Sequence, residues 1–241
     1  MAPVSWVAHD VEPYVIQAHL GKRVSFLALL IGSWSPDLFT KWMVYGATAG
    51  INVDVGDPSN FHRSWPGVGP LHSPLFGIVL ALAVYGLTRN QQWAWGLLIG
   101  QWAHCFSDTL DTKGTMLFFP LTEWRVSFDA WAYAAGSGRD LDTAAYFSCL
   151  GFAWDGAWLV LTFVFRRALY ERYFRETVMP ADPVWGWLGR YLPYPALLVL
   201  YRAALFYGAS RWIGWIIWAH VLHTNEFDFS WGGPGWIPAS E

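Results

Sequence analysis

The stretch WAWGLLIGQWAHCFSDTLDT (residues 93–112) decides the fold of this 241-residue chain. Residues 93–107 of it carry no formal charge, and an apolar run of that length is typical of a buried or membrane-embedded helix. The whole chain agrees, because 54% of it is hydrophobic and only 14% is charged, against about 25% in soluble domains. This composition excludes a disordered chain and a disulfide-rich scaffold. It predicts an all-α, polytopic transmembrane helical bundle.

Four stretches approach the roughly 20 apolar residues that a membrane span needs, and they are residues 71–87, 93–107, 144–165 and 195–222. A fifth stretch, 24–34, is too short to span alone. Ser35 and Pro36 follow it, and a proline after a serine cap is typical of a helix start. We therefore expect about four to six membrane-embedded helices, with the first hairpin interrupted by a break between two helices.

Polar connections at 46–70, 113–141 and 166–193 are predicted to join these helices. The third carries a cluster of arginines (Arg166, Arg167, Arg172, Arg175, Arg190), which indicates the cytoplasmic side and places the other two connections outside. Most of the 18 tryptophans lie near predicted span ends, as in an aromatic belt, although contact with a pigment, quinone or lipid is an alternative. The net charge of −3 gives no indication of nucleic-acid binding.

Three polar residues of the opening stretch share one helix face, because Asp108 and Asp111 follow His104 by four and seven positions. An imidazole and a carboxylate at this spacing can bind one metal ion at about 2.0–2.2 Å. The alternative is a His–Asp hydrogen bond that joins two helices. Ionisable groups inside spans are costly, so either interpretation makes this face a candidate site.

Other polar residues are predicted to join this face. His72 precedes a second serine-proline helix start, Asp37 follows Pro36, and His62 and Arg63 lie in the connection between them. In the predicted topology they reach the outer face at the depth of Asp108 and Asp111. We expect one metal site there, and the alternative is a purely structural polar network.

The order of these motifs resembles the YdjM-type inner-membrane metal-dependent hydrolases. The matching elements are Ser-Pro-Asp (35–37), His-Arg…Leu-His-Ser (62–73), Gly-Gln-Trp-Ala-His-Cys-Phe-Ser-Asp (100–108), Thr112, Gly114 and Pro120. The resemblance covers roughly residues 5–128 and implies a multi-pass protein of the bacterial inner membrane. We expect 1–128 to form a hydrolase-like region and 129–241 an additional aromatic-rich helical region of the same structural domain. Two departures are Phe39, where the family has a second acid, and the inserted residues 64–71.

The His and Asp order is also distantly similar to that of bacterial zinc-dependent phospholipase C. This similarity implies a divalent metal, Zn²⁺ above all, held by Asp37, His72, His104 and Asp108. It makes His9 a candidate ligand of a second metal that shares Asp108.

The expected chemistry is hydrolysis of a phosphate or acyl ester of a lipid at the outer face. Asp111 is a candidate general base or an orienter of His104, Arg63 a candidate for holding an anionic phosphate, and His62 a third catalytic candidate. The expected partners are membrane lipids, and other subunits of a membrane complex are possible. The alternative function is a non-catalytic accessory subunit that retains the hydrolase-like scaffold.

Overall fold

The computed structural model describes residues 6–44, 58–131, 147–223, 226–227 and 233–238. Its α-helices are α1 (Val7–Leu20), α2 (Phe26–Val44), α3 (Pro58–Arg63), α4 (Pro74–Thr88), α5 (Gln91–Asp108), α6 (Leu150–Val164), α7 (Glu171–Tyr173), α8 (Met179–Ala181), α9 (Pro183–Leu188) and α10 (Tyr194–Ile216). Turns of 3₁₀-helix cover Gly21–Arg23, Gly69–His72 and Arg166–Leu169, and π-helical turns cover Phe174–Val178 and Ile217–Leu222. Two short antiparallel strands, β1 (Arg125–Ser127) and β2 (Gly235–Ile237), complete the fold. The all-α prediction is confirmed.

The four predicted apolar stretches correspond to α4, α5, α6 and α10, so these helices are confirmed. Within the described ranges, however, no helix combines the length and the apolar character that crossing a bilayer requires. The predicted transmembrane spans are therefore not supported. Residues 46–57 and 132–141 of the predicted polar connections, and the first residues of the stretch 144–165, lie outside the described residues.

The predicted break in the first hairpin is wrong, because α2 runs unbroken through Pro36. Proline lacks an N–H and would leave the carbonyl four residues earlier without its helical partner. That carbonyl belongs to Gly32, and the Ser35 hydroxyl donates a hydrogen bond to it at 2.8 Å. The serine-proline pair thus repairs a helix interior here, and Asp37 lies in the middle of α2 instead of in a first turn.

Helices α2 and α5 pack closely because glycines remove the side chains between them. A Cβ atom on Gly100 would lie 2.1 Å from the carbonyl oxygen of Leu29, and one on Gly32 would lie 2.4 Å from that of Leu97. Gly96 lies one turn before Gly100 and meets α2 at Ala28. The two backbones therefore approach to a distance that no larger residue allows.

Helix α1 was not predicted, and its polar residues other than His19 are buried. Its Pro13 frees the carbonyl of His9, and the Ser33 hydroxyl of α2 lies 3.1 Å from that oxygen. The helix also packs against α6 and α10, and Tyr14 meets Phe26 and Tyr201 in the largest apolar cluster. A helix of polar and apolar residues together can be buried in this way because partners on other helices satisfy its polar groups.

The predicted polar connection 166–193 is a run of short helices that lies at one end of the bundle. Arg167 donates to the carbonyl of Ala18 near the end of α1 at 2.6 Å. At the same end, the N–H of Ser25 donates to Gln92 near the start of α5 at 3.0 Å. Lys22 and Arg23 are exposed in the turn between α1 and α2. We call this end, with the arginines of 166–190, the basic end.

Gly100→Ala is expected to destabilise the protein, because its methyl group would overlap the backbone of α2. Overpacking of this kind costs about 1–3 kcal/mol. The matched control is Gly86→Ala in α4, where nothing lies within 4 Å of the added carbon and a helix-favouring residue replaces glycine. Thermal unfolding of the full chain in mild detergent measures both. An equal midpoint for the two variants would contradict the close contact of α2 and α5.

Candidate metal centre

His104 of α5 is fixed by the backbone of α2. Its Nδ1 lies 2.6 Å from the carbonyl oxygen of Ser33. A carbonyl only accepts, so this nitrogen donates, and the lone pair of the neutral ring is on Nε2. Nε2 lies 2.9 Å from Oδ2 of Asp108, one turn along the same helix. The spacing of four residues thus gives the predicted pair on one face, with the ring orientation that metal-binding histidines commonly have.

Asp37, His62 and His72 form a second group on three different elements. Oδ1 of Asp37 lies 3.2 Å from Nε2 of His62 and 3.5 Å from Nε2 of His72. The inserted residues 64–71 fold back on α3, where the N–H of Val68 donates to Phe61 at 2.8 Å. This return places the rings of His62 and His72 with centroids 4.4 Å apart. The insertion therefore brings the two histidines together.

The side chain at the other departure, Phe39, points away from these groups. Phe39 is 55% exposed and packs edge-on against Phe76 of α4, with ring centroids 6.1 Å apart. Asp37 is 3% exposed. Since residues two apart lie on nearly opposite sides of a helix, an aromatic residue at position 39 changes the outer surface of α2 and leaves Asp37 in place.

His9 of α1 completes the cluster from the third side. Its Nε2 lies 3.5 Å from Oδ1 of Asp108, and its ring stacks on His104 with centroids 4.0 Å apart. Its Nδ1 lies 3.3 Å from Oε1 of Glu12, which also accepts a hydrogen bond from the Ser33 hydroxyl at 2.7 Å. A carboxylate behind the histidine of a metal site is a common way to orient the ring.

Arg63 lies between two aspartates. Its Nη1 is 2.5 Å from Oδ2 of Asp108, and its Nη2 is 3.1 Å from Oδ2 of Asp111. All three residues are buried. Asp111 also accepts the N–H groups of Lys113 at 2.9 Å and Gly114 at 2.8 Å, so it anchors the turn after α5. Burial raises the pKa of the Asp111 carboxyl to about 7, and the charge of Arg63 acts against that rise.

The geometry of the cluster suits a metal. Nε2 of His9, His72 and His104 is buried in each case and faces a carboxylate oxygen, at 3.5, 3.5 and 2.9 Å respectively. Buried polar atoms usually have a partner. Two atoms bound to one tetrahedral zinc at about 2.0–2.2 Å lie about 3.3–3.6 Å apart. The His9–Asp108 and His72–Asp37 distances of 3.5 Å match that spacing, and the 2.9 Å between Nε2 of His104 and Oδ2 of Asp108 is shorter than it.

Two overlapping sets of potential ligands result. His9, His104 and Asp108 form one, and Asp37, His72 and His104 form the other, with the ligand atoms of each set within 4.8 Å of one another. Burial lowers the pKa of the His72 imidazole well below its usual value, and the positive charges of His62 and Arg63 lower it further. A neutral imidazole is the form that binds a metal. Burial acts to lower the pKa of His9, but hydrogen bonds to Asp108 and Glu12 raise it to about 10, so His9 would release a proton on binding.

The structure brings all eight predicted site residues into one cluster. Asp37, His72, His104, Asp108 and His9 supply the proposed ligand atoms, while His62, Arg63 and Asp111 surround them. Glu12 and Ser33, which orient His9 and His104, were not among the predicted site residues. Glu12 follows His9 by three residues, so its helical spacing was a usable signal. A backbone carbonyl such as that of Ser33 has no signal in a sequence.

These features define an all-helical protein with a buried His/Asp cluster suited to a divalent metal. The chain belongs to the YdjM inner membrane protein family, whose model matches residues 11–177. That match confirms the resemblance seen in the motifs. Seven of the eight site residues lie inside it, and His9 lies just before it. No curated protein and no solved structure matches the chain.

Arg63→Leu is expected to destabilise the metal-depleted protein by about 3–5 kcal/mol, because two buried carboxylates lose their shared cation. The control is Arg172→Gln, which removes a largely exposed pair with Glu176 and is expected to cost at most about 1 kcal/mol. Unfolding of the chelator-treated chain in mild detergent compares the two. If Arg63→Leu lowers the free energy of unfolding no more than Arg172→Gln does, the buried contacts of Arg63 with the two aspartates do not stabilise the fold.

Proposed function

We propose that this protein is a membrane-bound, metal-dependent hydrolase. The observation that supports it most is the position of Asp108, which presents one carboxylate oxygen to His9 and the other to His104. A carboxylate that faces ligands on both sides suits a bridge between two metal ions. We assign Asp37, His72, His104 and Asp108 to the first ion, and His9 with Asp108 to the second.

Zinc is the ion proposed, because histidine nitrogen and carboxylate oxygen are ligands that it binds in catalytic sites. When bound, zinc would lower the pKa of a coordinated water toward about 7 and polarise a phosphoryl or acyl oxygen. The surrounding residues then have positioning roles. Arg63 holds Asp108, Asp111 holds Arg63, and His62 lies against Asp37. This proposal replaces phosphate binding by Arg63 and base catalysis by Asp111, because both side chains are engaged with protein groups.

The proposed substrate is a phosphate or acyl ester of a lipid. Membership of an inner membrane protein family supports a substrate that is present in the bilayer. Large apolar side chains are also exposed on three helices, for example Leu82 of α4, Phe163 of α6 and Phe206 of α10. Exposed apolar surface of this kind is typical of a membrane or protein contact. We propose that these faces contact lipid.

The proposed orientation has the basic end toward the cytoplasm. Arginine and lysine are enriched on that side of membrane proteins. The metal cluster lies at the other end of α4 and α5, because His72 precedes the first residue of α4 and Asp108 ends α5, whereas the basic end meets the turn between them. The cluster would then lie toward the outer face of the inner membrane.

Metal analysis of the full chain, purified in mild detergent without chelator, tests the proposal. We expect one or two transition-metal ions per chain, and their loss in His104→Ala and Asp108→Asn. The same samples are tested on phospholipid vesicles for ester hydrolysis that a chelator abolishes and added Zn²⁺ restores.

The control is His19→Ala, which removes an imidazole whose Nδ1 contacts Val15 near the end of α1, outside the cluster. It is expected to keep both metal and activity. Wild-type protein without stoichiometric metal, or with metal that both cluster variants retain, would contradict the proposed centre. A metal-loaded protein without hydrolysis of phospholipid esters would contradict the proposed substrate class.

A further inference from the structure

An apolar groove runs between α4 and α5, away from the metal cluster. It has a volume of about 330 Å³, near the lower end of the range of small-molecule sites. Its walls are Ile78, Leu82 and Tyr85 of α4 and Ala94, Trp95 and Leu98 of α5. Leu82 is 64% exposed and Trp95 is 54% exposed, so the groove opens on the surface.

The groove is separate from the metal cluster. The indole N–H of Trp102 donates to the carbonyl of Pro74 at 3.1 Å and bridges the two helices between groove and cluster. Gln101 adds a second bridge there, through its side-chain N–H group to the carbonyl of Ser73 at 2.9 Å. A molecule in the groove therefore lies along the outside of the helix pair and is not placed at the ligands.

A cation lies at the other end of the groove, in the turn between its two helices. The guanidinium of Arg89 lies 5.8 Å from the ring centroid of Tyr85, which lines the groove. Arg89 is exposed. Residues 58–107 contain no acidic side chain, and Asp108, the one acid of the two helices, lies at the opposite end of α5 from Arg89. The exposed Lys22 and Arg23 belong to the same basic end.

We propose that this groove binds one acyl chain of an anionic phospholipid, with the phosphate head group at Arg89. The apolar walls match a hydrocarbon chain, and the guanidinium at the mouth matches the phosphate of a head group that has no cation of its own. Membership of an inner membrane protein family places the chain among proteins that meet such lipids. This lipid site is separate from the proposed hydrolase activity, because binding in the groove requires neither the metal nor a substrate at the metal cluster.

Native mass spectrometry of the delipidated full chain in detergent tests this site. Phosphatidylglycerol and phosphatidylcholine with identical acyl chains are offered at equal concentration. Wild-type protein is expected to retain phosphatidylglycerol about fivefold more than phosphatidylcholine, the preference that one arginine near a head group gives. Arg89→Gln is expected to bring the ratio close to one. Ala94→Trp, which fills the groove, is expected to reduce retention of both lipids.

Two controls separate the groove from general effects. Arg172→Gln removes an exposed charge of the basic end outside the groove and is expected to keep the preference. Val79→Trp adds an indole on an exposed position of α4 that does not line the groove, and is expected to keep retention. Equal retention of the two lipids by wild-type protein, or an unchanged preference in Arg89→Gln, would overturn the proposal. Since Arg89 is exposed, its variant tests the site even where Ala94→Trp does not fold.

Discussion

The candidate centre depends on the hydrogen bond from Nδ1 of His104 to the carbonyl of Ser33. That bond requires α2 and α5 to approach backbone to backbone, and Gly100 allows the approach one turn before the histidine. Once Nδ1 is held, Nε2 faces Asp108, and the aspartate is directed to the groups that α1 and α3 bring. The close packing of α2 and α5 therefore also fixes the orientation of the His104 ring, because a wider separation of the two helices would break its bond to Ser33.

The C-terminal half supports the centre through α1. Asp155 of α6 accepts the N–H of Ala8 at 2.8 Å, and Arg211 of α10 pairs with Asp10 at 2.9 Å. These contacts fix the first turn of α1 on both sides of His9. Residue 211 lies beyond the range that the family model matches. Helices α6 and α10, which carry none of the site motifs, thus hold α1 and its proposed ligand His9 in position. This connects the aromatic-rich region structurally to the site.

The helices with long apolar runs and most of the candidate ligands could be predicted from sequence, because run length and the spacing of His104 and Asp108 are local signals. Helix α1 and the continuity of α2 could not, because the Ser35 hydroxyl compensates for Pro36, and Ser33 satisfies Glu12 of α1, only in the folded chain. The positioning role of Arg63 could not be predicted either, because Asp108 and Asp111 face its guanidinium only in the folded chain. The four-residue spacing of Gly96 and Gly100 is a local signal of close helix packing that the sequence does carry.

X-ray absorption spectroscopy at the zinc edge tests the central claim most directly, because it reports the atoms around the metal in the protein as purified. The account predicts a bound ion with nitrogen and oxygen ligands at about 2.0–2.2 Å, the multiple-scattering pattern of imidazole, and no sulfur shell. The absence of an edge from a folded, detergent-purified chain would contradict the account. So would a zinc ion surrounded by sulfur, because Cys105 and Cys149 lie outside the proposed ligand set.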